Sequence, residues 1–161
     1  MMTTEIGSVS HGTMRNDDLI PTFVEALDNL KESESLSDSP DKERYGRLDT
    51  MLSEIEQRME REDYYASEDA GYDLEALFEA LNEYAPPFCF FGAHEGDGTD
   101  YGFWPSNDAI EDAIHDGEIV KVDAGDEWPE DMSADYVIEV NDHGNMALYD
   151  AQARRELWSI V

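Results

Sequence analysis

From residue 17 onward the apolar positions of this chain recur first with helical and then with strand periodicity. Ile20, Phe23, Val24, Leu27 and Leu30 follow one another at spacings of three and four, which predicts a helix over about 18–31. Asp17 and Asp18 suit the positive end of its dipole, and Pro21 is tolerated in a first turn. Serines at 33, 35, 37 and 39 and Pro40 predict a polar linker. Tyr45, Leu48, Leu52, Ile55 and Met59 then repeat in heptad fashion and predict a second helix over about 42–63. That seam serves either a helical hairpin within the chain or a homodimer, because both would use the same side chains. Leu74, Leu77, Phe78 and Leu81 give a third helix over about 73–84, stopped by Pro86 and Pro87.

Beyond the prolines the pattern changes to short apolar runs separated by turns: 88–91, 101–104, 119–122, 136–140, 146–149 and 157–161. Ala109, Ile110, Ala113 and Ile114 place a short helix over about 108–116, closed by Gly117. The stretch 141–145, Asn-Asp-His-Gly-Asn, reads as a hairpin loop because Asn and Gly accept positive φ at little cost. The expected fold class is α+β: an N-terminal helical hairpin and a third helix, then a mostly antiparallel sheet of five to six strands with one short inserted helix. The expected division is a flexible tail over 1–16, the hairpin over 17–66 and an acidic α+β domain over 67–161.

Charge adds what periodicity does not. The chain of 161 residues carries 40 acids against 10 lysines and arginines, a formal net charge of -30. Residues 62–120 hold 16 acids and no base, and residues 62–153 hold 25 acids and one base, Lys121. Residues 1–61, by contrast, hold 14 acids and seven bases. With 11% aromatic and 40% hydrophobic residues, the chain can bury a core, so this is the composition of a folded acidic protein rather than a disordered one. Its charge repels nucleic acid and anionic membrane and favours a basic partner. The first 16 residues lack a basic region followed by an apolar run, and no apolar stretch approaches the roughly 20 residues that span a bilayer, so the expected location is the cytoplasm.

Candidate chemistry is sparse. Cys89 is the single cysteine and lies within an apolar run, as a buried inert thiol does. The loop 94–100 gathers His94, Glu95, Asp97 and Asp100 around two glycines, which suits a hairpin turn better than a calcium loop, since the alternating ligand order is missing. A metal or acid–base pairing of His94 with Asp142 and His143 requires their loops to meet. Trp104, Trp128 and Trp158 suit core or rim positions. No Walker loop, GxSxG, HExxH or paired CxxC is present, and no cofactor is expected.

The acids themselves are clustered: Asp73, Glu75, Glu79 and Glu83 on the third helix; Asp108, Glu111, Asp112, Asp116 and Glu118 on and after the short helix; Asp123, Asp126, Glu127, Glu130 and Asp131 beyond it. Duplex DNA carries one charge per about 1.7 Å of axis, so a net charge of -24 over residues 62–153 matches about 40 Å of duplex. These clusters are the expected contact surface for a basic nucleic-acid-binding protein.

The segments 84–98 (Tyr-Ala-Pro-Pro-Phe-Cys-Phe-Phe-Gly-Ala-His-Glu-Gly-Asp-Gly), 101–105 (Tyr-Gly-Phe-Trp-Pro) and 140–149 (Val-Asn-Asp-His-Gly-Asn-Met-Ala-Leu-Tyr), with Trp158, resemble small uncharacterised proteins of phages and other mobile elements. In composition the whole chain also resembles the acidic DNA-mimic anti-restriction and anti-CRISPR proteins. That resemblance implies a non-enzymatic inhibitor that occupies the basic channel of a CRISPR effector or restriction enzyme. The competing readings are a salt-adapted acidic phage or regulatory protein, and a metal-assisted enzyme using loops 94–100 and 141–145.

Overall fold

The computed structural model describes residues 4–161; Met1 to Thr3, the start of the expected tail, lie outside them. Four helices and seven strands follow in the order β1 (Gly7–Ser10), α1 (Asn16–Ser35), α2 (Lys42–Met59), α3 (Glu68–Asn82), β2 (Cys89–His94), β3 (Asp97–Pro105), α4 (Asn107–His115), β4 (Ile119–Asp123), β5 (Tyr136–Val140), β6 (Met146–Asp150) and β7 (Arg155–Ile160), with a single 3₁₀ turn at Tyr64–Ala66. The fold is α+β. No helix among the described residues is long and apolar enough to cross a membrane.

Three of the four helices start where a side chain satisfies a free amide; α1, entered at Arg15, has no such cap. Asp41, Ser67 and Ser106 accept from the backbone N–H groups of Arg44 (2.9 Å), Ala70 (3.4 Å) and Ala109 (3.3 Å). The Ser67 cap starts α3 five residues before the predicted Asp73, because Gly71 is carried inside the helix rather than breaking it.

The strands form two sheets, not one. The first has order β1-β3-β2 and is antiparallel; the second has order β4-β5-β6-β7, with β4 and β5 parallel and the other pairs antiparallel. Two hydrophobic clusters explain the division. In the first, Phe23 of α1 meets Phe78 of α3, Phe91 of β2 and Tyr101 of β3 with ring centroids 5.2, 5.2 and 6.0 Å away, and Leu27, Leu48, Leu52, Ile55, Leu77 and Leu81 pack around them. In the second, Ile110 and Ala113 of α4 cover Ile119, Ile138, Leu148 and Trp158. Single-sheet pairing was the expectation, but which apolar runs pair is decided by the helix face each run covers.

The expected flexible tail is a correction: its residues 7–10 form β1 on the edge of the first sheet. Gly102 makes this approach possible. A Cβ there would sit 2.0 Å from the Gly7 carbonyl oxygen, so no larger residue lets β1 dock. The boundary expected between residues 66 and 67 also moves, since α1, α2, α3, β2 and β3 share one cluster and the second cluster begins with α4. The heptad seam is used within the chain: Leu48, Leu52 and Ile55 of α2 are at most 3% exposed in that cluster.

Ile6 packs against both clusters, and Trp158 and Tyr136 fasten the chain at 87–88, just before β2, to the second sheet. The Trp158 indole donates to the Pro87 carbonyl (2.8 Å), and the Phe88 ring lies edge-on to Tyr136 at 5.2 Å. On the outer edge of β2, Asn82 of α3 accepts the Phe91 amide (2.9 Å), and on the sheet face the Trp104 indole of β3 donates to the Gly92 carbonyl (3.1 Å).

Candidate functional site

Of the 22 acids in residues 4–83, eight form ion pairs within the helical layer: Asp17, Asp28, Glu32, Glu34, Asp49, Asp69, Asp73 and Glu83. Arg58 forks onto Asp73 (2.9 and 2.7 Å), and the Tyr64 hydroxyl donates to the same carboxylate (2.8 Å). Asp73, expected at a partner surface, is buried at 7% exposure and has a structural role. Arg44 forks onto buried Glu34, the Tyr84 hydroxyl donates to it (2.7 Å), and the guanidinium lies 4.6 Å over the Tyr84 ring. Burial alone would raise the Glu34 carboxyl; Arg44 and Tyr84 outweigh it and hold it below the usual carboxylate range. Lys31 is buried among Asp28, Glu32 and Asp49 at 3.0, 3.2 and 2.7 Å. Burial pulls its ammonium down, yet the three carboxylates leave it above the ordinary lysine value. Six of the seven bases in residues 1–61 form ion pairs: Arg15, Lys31, Arg44, Arg47, Arg58 and Arg61.

The α3 stripe is therefore thinner than its sequence suggests. Glu75 and Glu79 are exposed, but Glu83 is tied to Arg47 of α2 at 2.7 Å.

Around the second sheet the pattern reverses. Residues 108–135 hold eleven acids and one base, Lys121, and all eleven acids are exposed. Arg155 aside, no ion pair among the described residues reaches beyond Glu83. On α4 the apolar residues 109, 110, 113 and 114 turn inward. At 3.6 residues per turn, Asp108, Glu111, Asp112 and Asp116 fall within an arc of about 140° on the other side. Four charges over about 12 Å of helix axis average one per about 4 Å, close to the 3.4 Å spacing along one DNA strand. The α3 glutamates, one per turn, are spaced at about 6 Å.

Strand β4 is an edge of its sheet, with α4 packed on one face. Glu118, Lys121 and Asp123 are exposed along it. The crossover 124–135 then carries Asp126, Glu127, Glu130, Asp131 and Asp135 past the opposite face, where Trp128 reaches Glu139 of β5. It returns at the start of β4, where the amides of Asp135 and Tyr136 both donate to the Glu118 carbonyl (3.1 Å each). The acids of 108–131 thus form a band wrapped around the β4 edge. Asp135 joins the expected residues of that band.

The metal and acid–base arrangements find no support in the geometry. No group of three or more His, Cys, Asp and Glu side chains among the described residues is arranged to hold a metal ion. His94 stacks edge-on to Trp104 at 4.7 Å and accepts from the Gly96 amide (3.0 Å), and Asp97 accepts from Thr99, so loop 94–100 is a self-bonded hairpin turn. His143 lies in the β5–β6 turn, organised by Asn141 accepting from the amides of His143 and Asn145, with Gly144 at φ +82°. Burial pushes the Cys89 thiol up to about 12, which leaves it without thiolate character at neutral pH. The cleft of about 590 Å³ between the two clusters mixes Arg44 and Arg155 with Glu83, Asp150 and Glu156, and offers no convergent catalytic set.

No family model, curated protein or solved structure matches this chain. The geometry has to carry the functional reading.

What the sequence did not reveal is the role of Trp128. Its indole N–H donates to Glu139 (2.9 Å), its ring meets Tyr149 edge-on at 5.4 Å, and the Arg154 guanidinium lies 5.0 Å over it. The three partners come from 11, 21 and 26 residues further along the chain, so no local pattern announces them.

Proposed function

We propose that this protein is a binding protein, not an enzyme, that imitates a nucleic-acid backbone and occupies the basic channel of a DNA-handling complex such as a CRISPR effector or restriction enzyme. The observation that carries this reading is the band of eleven exposed acids over 108–135, which holds one base and, Arg155 aside, makes no ion pair among the described residues. A basic channel that displaces its counterions to bind DNA gains in the same way from a rigid anionic surface. The resemblance to phage DNA mimics points to a phage-type inhibitor acting in the host cytoplasm.

The test is competition. Purified effectors and restriction enzymes are loaded with labelled duplex DNA and titrated with the protein at several salt concentrations. Mutually exclusive binding that weakens steeply with salt, and is lost when Asp108, Glu111, Asp112 and Asp116 are reversed to lysine, is the expected result. Simultaneous binding of duplex and protein would rule out mimicry.

A second reading draws on how charge divides between the two halves. Residues 1–105 hold 25 acids against seven bases and residues 106–161 hold 15 against three, so neither half is neutral. Acidity spread this widely serves hydration in high salt. This reading predicts a melting temperature that climbs continuously toward molar salt and no displacement of DNA from any complex.

A further inference from the structure

The crossover 124–135 joins two parallel strands, a connection usually made by a helix, yet it contains no helix. Its ends are anchored by the backbone: Ala124 and Asp126 donate to Val140 and Asp123 (2.9 and 3.0 Å), and Asp135 donates to Glu118 (3.1 Å). Between them, no backbone amide or carbonyl of residues 127–134 bonds another backbone group. An open cleft of about 590 Å³ lies between residues 129–134 and the β6–β7 turn at 150–154, and beyond it the Ala151 amide donates to the Asp135 carbonyl (2.9 Å). Within 127–134 only Trp128, Met132 and Ala134 are half-buried, and Trp128 alone of these makes polar and aromatic contacts to the sheet. Trp128 is half-buried on the face that carries Val137, Glu139 and Tyr149, and it combines a hydrogen bond, an aromatic contact and a cation–π contact from three separate elements.

We infer that Trp128 is a positioning residue whose clamp gives the acidic crossover one fixed form, so that Asp126, Glu127, Glu130 and Asp131 meet a basic partner already ordered. Three like charges, Glu127, Glu130 and Asp131, on an eight-residue stretch without backbone bonds, with Asp126 next to it, repel one another and favour many extended conformations. The clamp removes that freedom before binding, and affinity gains what ordering would otherwise cost. The consequence for affinity rests on the mimicry reading; the ordering of the crossover does not.

The experiment separates the two. Backbone ¹⁵N order parameters are measured for wild type, Trp128→Ala and Trp128→Phe, with α4 as internal control. In wild type, residues 127–134 are expected near the value of rigid backbone, about 0.85, and in Trp128→Ala they fall below about 0.6 while α4 is unchanged. Trp128→Phe keeps the ring contacts and is expected to hold most of the order. If Trp128→Ala does not fold, Arg154→Ala loosens the clamp from outside and is expected to lower the same order parameters. Residues 127–134 equally ordered without Trp128, or already mobile in wild type, would overturn the inference. Displacement of labelled duplex DNA from a complex that binds the wild type then reads affinity, with at least a tenfold loss expected for Trp128→Ala. Unchanged affinity with a mobile crossover would overturn the preorganisation step. Failure of the wild type to displace DNA from any complex would sink the mimicry reading, while the order parameters would still decide the clamp.

Discussion

The helical layer and the second sheet share one compositional bias and put it to opposite uses. In the helices, eight carboxylates are matched to guanidinium and ammonium groups, and three of the matches, at Lys31, Glu34 and Asp73, are buried where an unpaired charge would be prohibitive. Around the second sheet, carboxylates stay exposed on the outside of α4, along the β4 edge and on the crossover, and the core beneath them is uncharged. The lesson is that an acid count says little until the bases are located. Where arginines and lysines lie within reach, acids become internal fasteners, and where they do not, acids remain available to another molecule.

The comparison is broken most severely from the core. Phe23→Ala removes the ring shared by α1, α3, β2 and β3 and should cost about 4 kcal/mol in urea unfolding. Asp73→Ala strands Arg58 and the Tyr64 hydroxyl and should cost about 3 kcal/mol, the lower end for a buried pair because the arginine is one-third exposed. A loss under about 1 kcal/mol would mean that Asp73 is as dispensable as a surface acid. Gly102→Ala forces a methyl group into the Gly7 carbonyl and should cost about 2 kcal/mol, with protease cutting before α1 as the sign that β1 has detached.

pH sharpens the contrast further. The Glu34 carboxyl titrates lower in the folded chain than in the unfolded one, where its value is about 4.3. The unfolded state therefore takes up the proton first, and the stability due to this pair is complete above about pH 5 and lost as pH falls through the folded value. Urea midpoints of wild type and Glu34→Gln should converge as pH drops from 6 to 3, both chains sharing the same background of relieved repulsion. Parallel curves would mean that the pair contributes no pH dependence.

The smallest expected effect on stability is the most informative about function. Reversing Asp108, Glu111, Asp112 and Asp116 to lysine should change stability by about 0.5 kcal/mol or less for each residue, since all four are exposed and the like-charge pairs at i and i+4 only change sign. A large loss measured by urea unfolding would move α4 into the class of the helical layer, with its acids acting as internal fasteners.

Much of the secondary structure was legible because it is local. The spacing of Ile20, Phe23, Val24 and Leu27 marks α1, Asn141 and Gly144 mark the β5–β6 turn, and six of the seven strands coincide with short apolar runs. Strand β1 was missed because Gly7 to Ser10 carries only one large apolar residue, Val9, and acquires strand form from its pairing with β3. Within the candidate site, the acids of α4 and the crossover were readable as a cluster, whereas Asp73 was misread because its neighbour Arg58 lies 15 residues back on another helix.

By itself the sequence determined the helices, most of the strands and the excess of carboxylates, because propensity, periodicity and formal charge are properties of neighbouring residues. Only the tertiary structure decided that the strands divide into two sheets, which acids are neutralised by arginine and which stay free, and that one tryptophan holds the acidic crossover. Each of these depends on pairing groups distant along the chain, and that pairing is settled by which apolar faces bury one another.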